Sequence, residues 1–303
     1  MSLLTVGTVA FDDIETPFGR AEKVIGGACT YISWAASYFT NDIRLTSIVG
    51  NDFPSDEIEE LKSRGVSMDG LKVVADGKTF FWAGKYHENM NQRDTIKTDL
   101  NVLDDFDPEL PDSYKDSKYV MLGNLTPDIQ IRVMEQLTDP QLIVLDTMNF
   151  WMDIAMDRLK VAIAKVDVLT INDEEARQLS GEYSLVNAAE KIFEMGPKYL
   201  VIKKGEHGAL LMSKDEMFYA PALPLALVKD PTGAGDTFAG GFMGYIAKTG
   251  DISFENMKRA VICGSAMASF CVEEFSLGKM KSLDEHIIND RIARFVKLTQ
   301  FSM

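Results

Sequence analysis

The chain has 303 residues, long enough for one large α/β domain or two smaller ones, and its hydrophobic fraction of 46% is that of a folded protein with a sizeable core. It carries 31 basic against 46 acidic side chains, a net charge of −15, which argues against nucleic acid and anionic membrane surfaces as partners. Leu3 to Val9 reads as a buried first strand, and Ala10 to Val24 as a short β-hairpin around Pro17 to Gly19. Cys29 to Phe39 reads as a helix with Ile32, Ala35, Ala36 and Phe39 on one face. Ile43 to Val49 is a strand, and Ser55 to Arg64 an amphipathic helix ending near Gly65. Leu71 to Thr98 is rich in β-formers (Thr79, Phe80, Phe81, Trp82, Tyr86) and has no helical period. Asp104 to Asp116 reads as an acidic, proline-bearing solvated connection.

Tyr119 to Leu122, Leu142 to Leu145 and Val168 to Ile171 are short apolar runs, each followed by polar loop residues and then helical periodicity. Leu200 to Ile202 and Ala209 to Met212 continue the sheet. The last third is helical: Thr237 to Ala247, Phe254 to Val272 and Asp284 to Leu298. This alternation predicts an α/β fold with a mostly parallel central sheet. Cys29, Cys263 and Cys271 are odd in number, lack metal-ligand spacing and sit among small or apolar residues, so reduced core thiols are expected. The first residues carry no basic region and no cleavage site, and no apolar run reaches membrane-spanning length. A cytoplasmic protein is expected.

The densest chemical signal is Asp230-Pro231-Thr232-Gly233-Ala234-Gly235-Asp236-Thr237-Phe238. Two glycines flanking Ala234 let several N–H groups turn toward one point at a helix N-terminus, a ready anion cradle. Asp236 at its lip would repel a bound phosphate, so it needs another task, and taking a proton from an attacking hydroxyl is the natural one. The alternative is a glycine-rich turn that merely starts a helix. Neither a G-x-x-x-x-G-K-[ST] loop nor a G-x-G-x-x-G dinucleotide fingerprint occurs.

This motif resembles the C-terminal signature of the PfkB (ribokinase-like) carbohydrate and nucleoside kinases, and the resemblance extends over nearly the whole chain. It implies one ribokinase-like domain over residues 1–303, a three-layer α/β/α sandwich with a small β-sheet lid from about 10–24 and 71–98. It also implies ATP-dependent phosphoryl transfer to a hydroxyl of a sugar or polyol, with Asp236 as general base and Gly233, Ala234 and Gly235 as the anion hole. A nucleoside acceptor, its base stacked on Phe80, Phe81, Trp82 or Tyr31, is the alternative, and a non-catalytic ligand sensor a more distant one.

Residue by residue, the resemblance implies that Asp12 accepts hydrogen bonds from substrate hydroxyls, with Asp13 the competing choice. Gly26-Gly27 resembles the family's first signature, but Tyr31 stands where an asparagine is usual. Asn172-x-x-Glu175 resembles the motif that serves phosphate and Mg²⁺, with Glu175 acting on the metal indirectly. The same residues would make a good helix cap. Lys203-Lys204-Gly205-Glu206-His207-Gly208 resembles the nucleotide loop, and Ser265 lies on the helix that lines the adenine pocket in relatives. Asp230 and the Thr232 carbonyl resemble a K⁺ site. Arg93 and Asn124 are read as pocket residues, Arg93 as a clamp for an acidic or phosphorylated substrate or as a partner of Asp94 or Asp99. A homodimer through the lid is a further expectation.

Overall fold

Leu3, Leu4 and Val6 are all fully buried, as a strand must be when helices cover both faces of its sheet. In the computed structural model, which describes residues 1–300, that strand lies inside a large sheet with strands on both sides. The strands in chain order are β1 (Leu3–Val6), β2 (Ala10–Thr16), β3 (Gly19–Gly26), β4 (Ile43–Gly50), β5 (Val66–Val74), β6 (Phe80–Tyr86), β7 (Arg93–Asp99), β8 (Tyr119–Leu122), β9 (Leu142–Asp146), β10 (Val168–Asn172), β11 (Tyr199–Lys203), β12 (Ala209–Met212) and β13 (Met217–Ala220). The helices are α1 (Ala28–Ala36), α2 (Ser55–Ser63), α3 (Pro127–Met134), α4 (Asn149–Ile154), α5 (Met156–Ile163), α6 (Asp173–Ser180), α7 (Leu185–Phe193), α8 (Ala234–Thr249), α9 (Phe254–Cys271) and α10 (Glu285–Thr299).

The large sheet runs β13-β12-β11-β10-β9-β8-β1-β4-β5. From β11 to β5 every pairing is parallel, and only β12 runs against its neighbours. Alternate residues feed two cores. Leu3, Tyr119 and Met121 join α1, α8 and α9 on one face, while Leu4, Val120 and Leu122 join α3, α5, α6 and α7 on the other. This is the ribokinase-like three-layer sandwich. A second sheet, ordered β3-β2-β6-β7, stands apart from it. Among the described residues no helix is long and apolar enough to cross a membrane, and all three cysteines are free and buried.

Several boundaries moved for identifiable reasons. β1 stops at Val6 because Gly7 turns against α1, where a Cβ would lie 2.9 Å from the Cys29 nitrogen. Leu71 to Val74, read with the lid, are the end of β5 and pair with β4 at the edge of the large sheet, so the small sheet's second segment begins at Phe80. The 104–116 connection is more than solvated chain: Phe106, Leu110 and Tyr114 are buried, and the Tyr114 hydroxyl lies 2.9 Å from the Ser67 carbonyl as donor. The helix expected from Thr237 starts three residues earlier, at Ala234.

That helix is held close to its neighbours by absent side chains. A Cβ on Gly240 would come within 2.3 Å of the Ile32 carbonyl oxygen on α1, and one on Gly241 within 3.0 Å of Gly264 on α9. Both helix partners are backbone at these contacts and have little room to yield. A Gly240→Val substitution should therefore push α8 off α1 and cost about 3 kcal/mol, the upper range for overpacking. Denaturant unfolding would check this, and a loss below about 1 kcal/mol would show that the contact is slack.

Candidate active site

The parallel strands end on one side of the large sheet, and open α/β sheets bind ligands at strand C-termini. Here β9 ends in Asp146, β10 in Asn172 and β11 in Lys203, while α8 points its N-terminus at the same place. Gly233 caps α8 in the left-handed region, with φ 73°. A Cβ there would lie 2.5 Å from the Tyr31 ring, so only glycine allows the turn to settle on that ring. Among the described residues the Gly233 and Gly235 amides find no acceptor, which leaves orphan donors beside a helix N-terminus.

Lys203 lies across this cradle. Its ammonium nitrogen is 3.1 Å and 3.3 Å from the two Asp146 carboxylate oxygens, and 3.1 Å from where a Gly235 Cβ would stand. Burial works against its charge, but Asp146, Glu175 and Asp236 outweigh that and hold its pKa above the ordinary lysine value. Lys204 points elsewhere, its ammonium 5.9 Å from the Tyr219 ring centre. Of the two lysines, the structure brings only Lys203 to the cradle. Gly208 is needed for packing, since a Cβ would strike the Ala220 carbonyl at 2.0 Å, and Gly205 is exposed with φ 52°.

Asp236 occupies the first turn of α8, partly open to the cleft. Burial and the nearby Asp146 raise its carboxyl pKa to about 7, against the pull of Lys203 and Arg93. Glu175 is also raised to about 7, chiefly by burial. It forms a complete capping box with Asn172: the Asn172 amide donates to Glu175 Oε2 at 2.7 Å, and the Glu175 amide to Asn172 Oδ1 at 2.8 Å. The structural reading of this pair is thus realised, and any role toward a metal comes in addition.

Across the cleft, Asp12 is 5% exposed and accepts no hydrogen bond among the described residues. Burial, together with Asp230 and Asp236, pushes its pKa up to about 8. Asp13 instead faces the turn, where it accepts from the Lys23 amide at 2.6 Å, so of the two it is Asp12 that enters the cleft. The glycine pair serves the protein's own groups. A Gly26 Cβ would overlap Asp12 Oδ2 at 1.9 Å, and Gly27, with φ 92°, would meet the Thr8 carbonyl at 2.5 Å.

Two expected pocket residues are placed differently. Tyr31 is 1% exposed and lies beneath the cradle, its hydroxyl without a partner and its pKa pushed well above the ordinary value by burial. Its ring supports Gly233 and does not open to the cleft. Both halves of the Asn124 amide are engaged, donating to Met148 Sδ at 3.0 Å and accepting from the Trp151 indole at 2.8 Å. Ser265 is half-buried on α9, where the neighbouring Gly264 is spent on packing against Phe238.

Asp230 is fully buried. Its oxygens accept from the Thr232 amide at 2.8 Å and the Ser276 amide at 3.4 Å, and desolvation raises its pKa. The Thr232 hydroxyl bonds the Tyr86 hydroxyl at 3.1 Å, tying the small sheet to the cradle loop. Asp146 was missed in the sequence. Its signal was present, a carboxylate directly after the apolar Leu142 to Leu145 run of a parallel strand.

The arrangement combines orphan amides, one buried ammonium and a carboxylate that titrates near neutrality, and residues 6–283 match the model of the pfkB family carbohydrate kinases. The chain belongs to the pfkB family. It is 27% identical to the cytidine kinase of Thermococcus kodakarensis, over 80% of this chain and 87% of that one. It is 28% identical to the nucleoside kinase of Methanothermobacter thermautotrophicus, over 90% and 89%. The solved structure of the Methanocaldococcus jannaschii nucleoside kinase superposes with a TM-score of 0.77 at 20% identity, covering 97% of this chain and 99% of that one. Members of the pfkB family are phosphotransferases that act on sugar or nucleoside hydroxyls, using ATP with a divalent metal.

In this pfkB-family cleft Lys203 is the strongest cation acting on Asp236. Lys203→Met should therefore move the Asp236 pKa upward from about 7. Carboxyl ¹³C NMR titration of the free protein would read the change, and an unmoved or lowered value would mean that the ammonium does not act on Asp236.

Proposed function

We propose that the chain transfers the γ-phosphoryl group of ATP to a sugar hydroxyl, with Asp236 as the general base. The observation that carries this reading is the position of Asp236 on the first turn of α8, beside the Gly233 and Gly235 amides and Lys203, and across the cleft from the unpartnered Asp12. Asp12 accepts hydrogen bonds from acceptor hydroxyls and so orients the one that reacts. Asp236 takes the proton of that hydroxyl as its oxygen attacks phosphorus. The Gly233 and Gly235 amides and Lys203 meet the charge on the equatorial oxygens.

ATP fits the donor set: the orphan amides and Lys203 suit its phosphates, and Asn172, Gly205, Gly208 and Ser265 would line the nucleotide side, with Lys204 turned onto Tyr219. Mg²⁺, when bound, neutralises phosphate charge. Glu175 would hold it through water, in keeping with the absence, among the described residues, of any three clustered ligating side chains. Asp230, a buried carboxylate with no cation beside it among the described residues, and the Thr232 carbonyl would hold K⁺. Residues 1–303 act as one cytoplasmic domain in this reading, with the small sheet as a lid whose outer surface pairs two copies.

A second reading narrows the acceptor to a nucleoside. Asp12 pairs in register with Trp82, and Gly84 leaves room for the Trp82 ring, since a Cβ there would overlap the indole at 2.1 Å. Beside Asp12 there is thus a flat aromatic surface suited to a base. The relatives named cytidine kinase and nucleoside kinase favour the same class. Turnover of cytidine, inosine, ribose and fructose with ATP would decide it: the reading expects kcat/KM for a nucleoside to exceed that for ribose, and the reverse order would return the acceptor to a free sugar.

For the base, asparagine at 236 keeps the shape but cannot take a proton. Asp236→Asn should lower turnover by roughly 10²–10⁴-fold while ATP affinity stays level or rises. Because burial raises this carboxyl pKa, the wild-type rate should climb with pH through about 7 and level off above it. A variant within a few-fold of wild type, or a profile flat from pH 5 to pH 9, would remove Asp236 from the mechanism.

A further inference from the structure

The small sheet reaches the nucleotide side of the cleft as well as the acceptor side. The loop between β6 and β7 brings Asn91 onto the loop after β11, where its Oδ1 lies 2.9 Å from the position of a Gly205 Cβ. Next along, Arg93 pairs in register with Tyr86, whose hydroxyl bonds Thr232 in the cradle loop. Arg93 is therefore carried between two points of contact, one at each end of the expected phosphate path.

Its charge is free. The carboxylates beside it in sequence are engaged elsewhere, Asp94 with His87 at 3.1 Å and Asp99 with Lys97 at 2.6 Å. Among the described residues Arg93 forms neither an ion pair nor a hydrogen bond, and its guanidinium carbon stands 5.9 Å from the Trp82 ring centre. The same guanidinium lowers the pKa of both Asp236 and Glu175, so its field falls on the two carboxylates that bracket the cradle. Arg93 shares the sheet face of Tyr86, whose hydroxyl reaches the cradle loop.

We propose that Arg93 supplies a second cationic part of the anion hole, donating to the phosphoryl group in transit and not to the acceptor. This rests on the kinase reading given above. In the transfer the acceptor oxygen forms its bond to Pγ, the bond from Pγ to the β–γ bridging oxygen breaks, and ADP leaves with that electron pair. Asp236 receives the hydroxyl proton. Arg93 takes no part in the proton transfer and only compensates charge. A planar fork suits three equatorial oxygens better than a point charge does.

The test uses Arg93→Ala and Arg93→Lys in the full chain, both at an exposed position on the edge strand, with folding checked by thermal melting. Two readouts are taken. By calorimetry, binding of ADP with Mg²⁺ and aluminium fluoride, in the presence of cytidine and separately of ribose, should weaken by roughly 10²-fold in the alanine variant, while ADP alone binds as before. By kinetics, kcat should fall roughly 10²–10³-fold with acceptor KM little changed, and lysine should recover part of the loss. The assignment is overturned if the aluminium fluoride complex binds equally well in wild type and variant, or if the loss falls on acceptor KM alone, which would make Arg93 an acceptor clamp. The calorimetric arm reads binding and not turnover, so it decides for Arg93 even if Asp236→Asn shows that the base lies elsewhere.

Discussion

One buried ammonium holds the cleft together. Lys203 bonds Asp146 and lies within the field of Glu175 and Asp236, and Asp236 in turn acts on Asp12. Burial penalises the charged form of the Asp12, Glu175 and Asp236 carboxyls, and their neighbouring carboxylates add to it, so they hold protons at a higher pH than usual. Asp12, Glu175 and Asp236 titrate between about 7 and about 8 instead of near 4. At neutral pH the cleft therefore carries fewer negative charges than its composition suggests. That makes it tolerable to an anion such as a triphosphate. Lys203 lowers the pKa of Glu175 and Asp236, so its loss would push both further up.

Geometry enforces the crowding. α8 packs against α1 and α9 through glycines, and its Gly233 cap rests on the Tyr31 ring. The bulk of this tyrosine fills the space under the turn, and its hydroxyl is left without a partner. Position and conformation of the cradle thus depend on a residue that has no polar role in the structure. The seat of Asp236 is set by direct steric contacts of α8 with α1 and α9 in the same helical layer.

Much of this was legible beforehand because it is local. The strand-helix alternation, the glycine cradle and the Asn172-x-x-Glu175 spacing are all contained in short windows, and each corresponds to an element in the structure. What was not legible depends on pairing over distance. Nothing near Leu71 shows that Val66–Val74 joins β4, or that Phe106 and Tyr114 in an acidic stretch pack inward. Asp146 sits in plain view at the end of a strand, yet its importance comes from Lys203, which arrives from a different strand. The choices between Asp12 and Asp13, and between Lys203 and Lys204, turn on which way a side chain points. Adjacent residues on a strand point to opposite faces, so a one-residue ambiguity in the sequence becomes a clear difference in space.

The small sheet also constrains how the chain reaches its native form. β2 and β6 lie side by side in parallel, with Ala10 paired to Phe80, so no turn can join them. Between them in sequence come β3 and α1 and then β4, α2 and β5, of which β4 and β5 belong to the large sheet. Closing so long a loop is entropically costly until those intervening elements have docked. The central layers should accordingly condense first, and the acceptor side of the cleft should be the last region to gain structure. A nascent or partly unfolded chain would then hold its phosphate cradle before it holds Asp12. Ligands recognised through the cradle would protect such an intermediate, whereas sugars would bind only the finished protein.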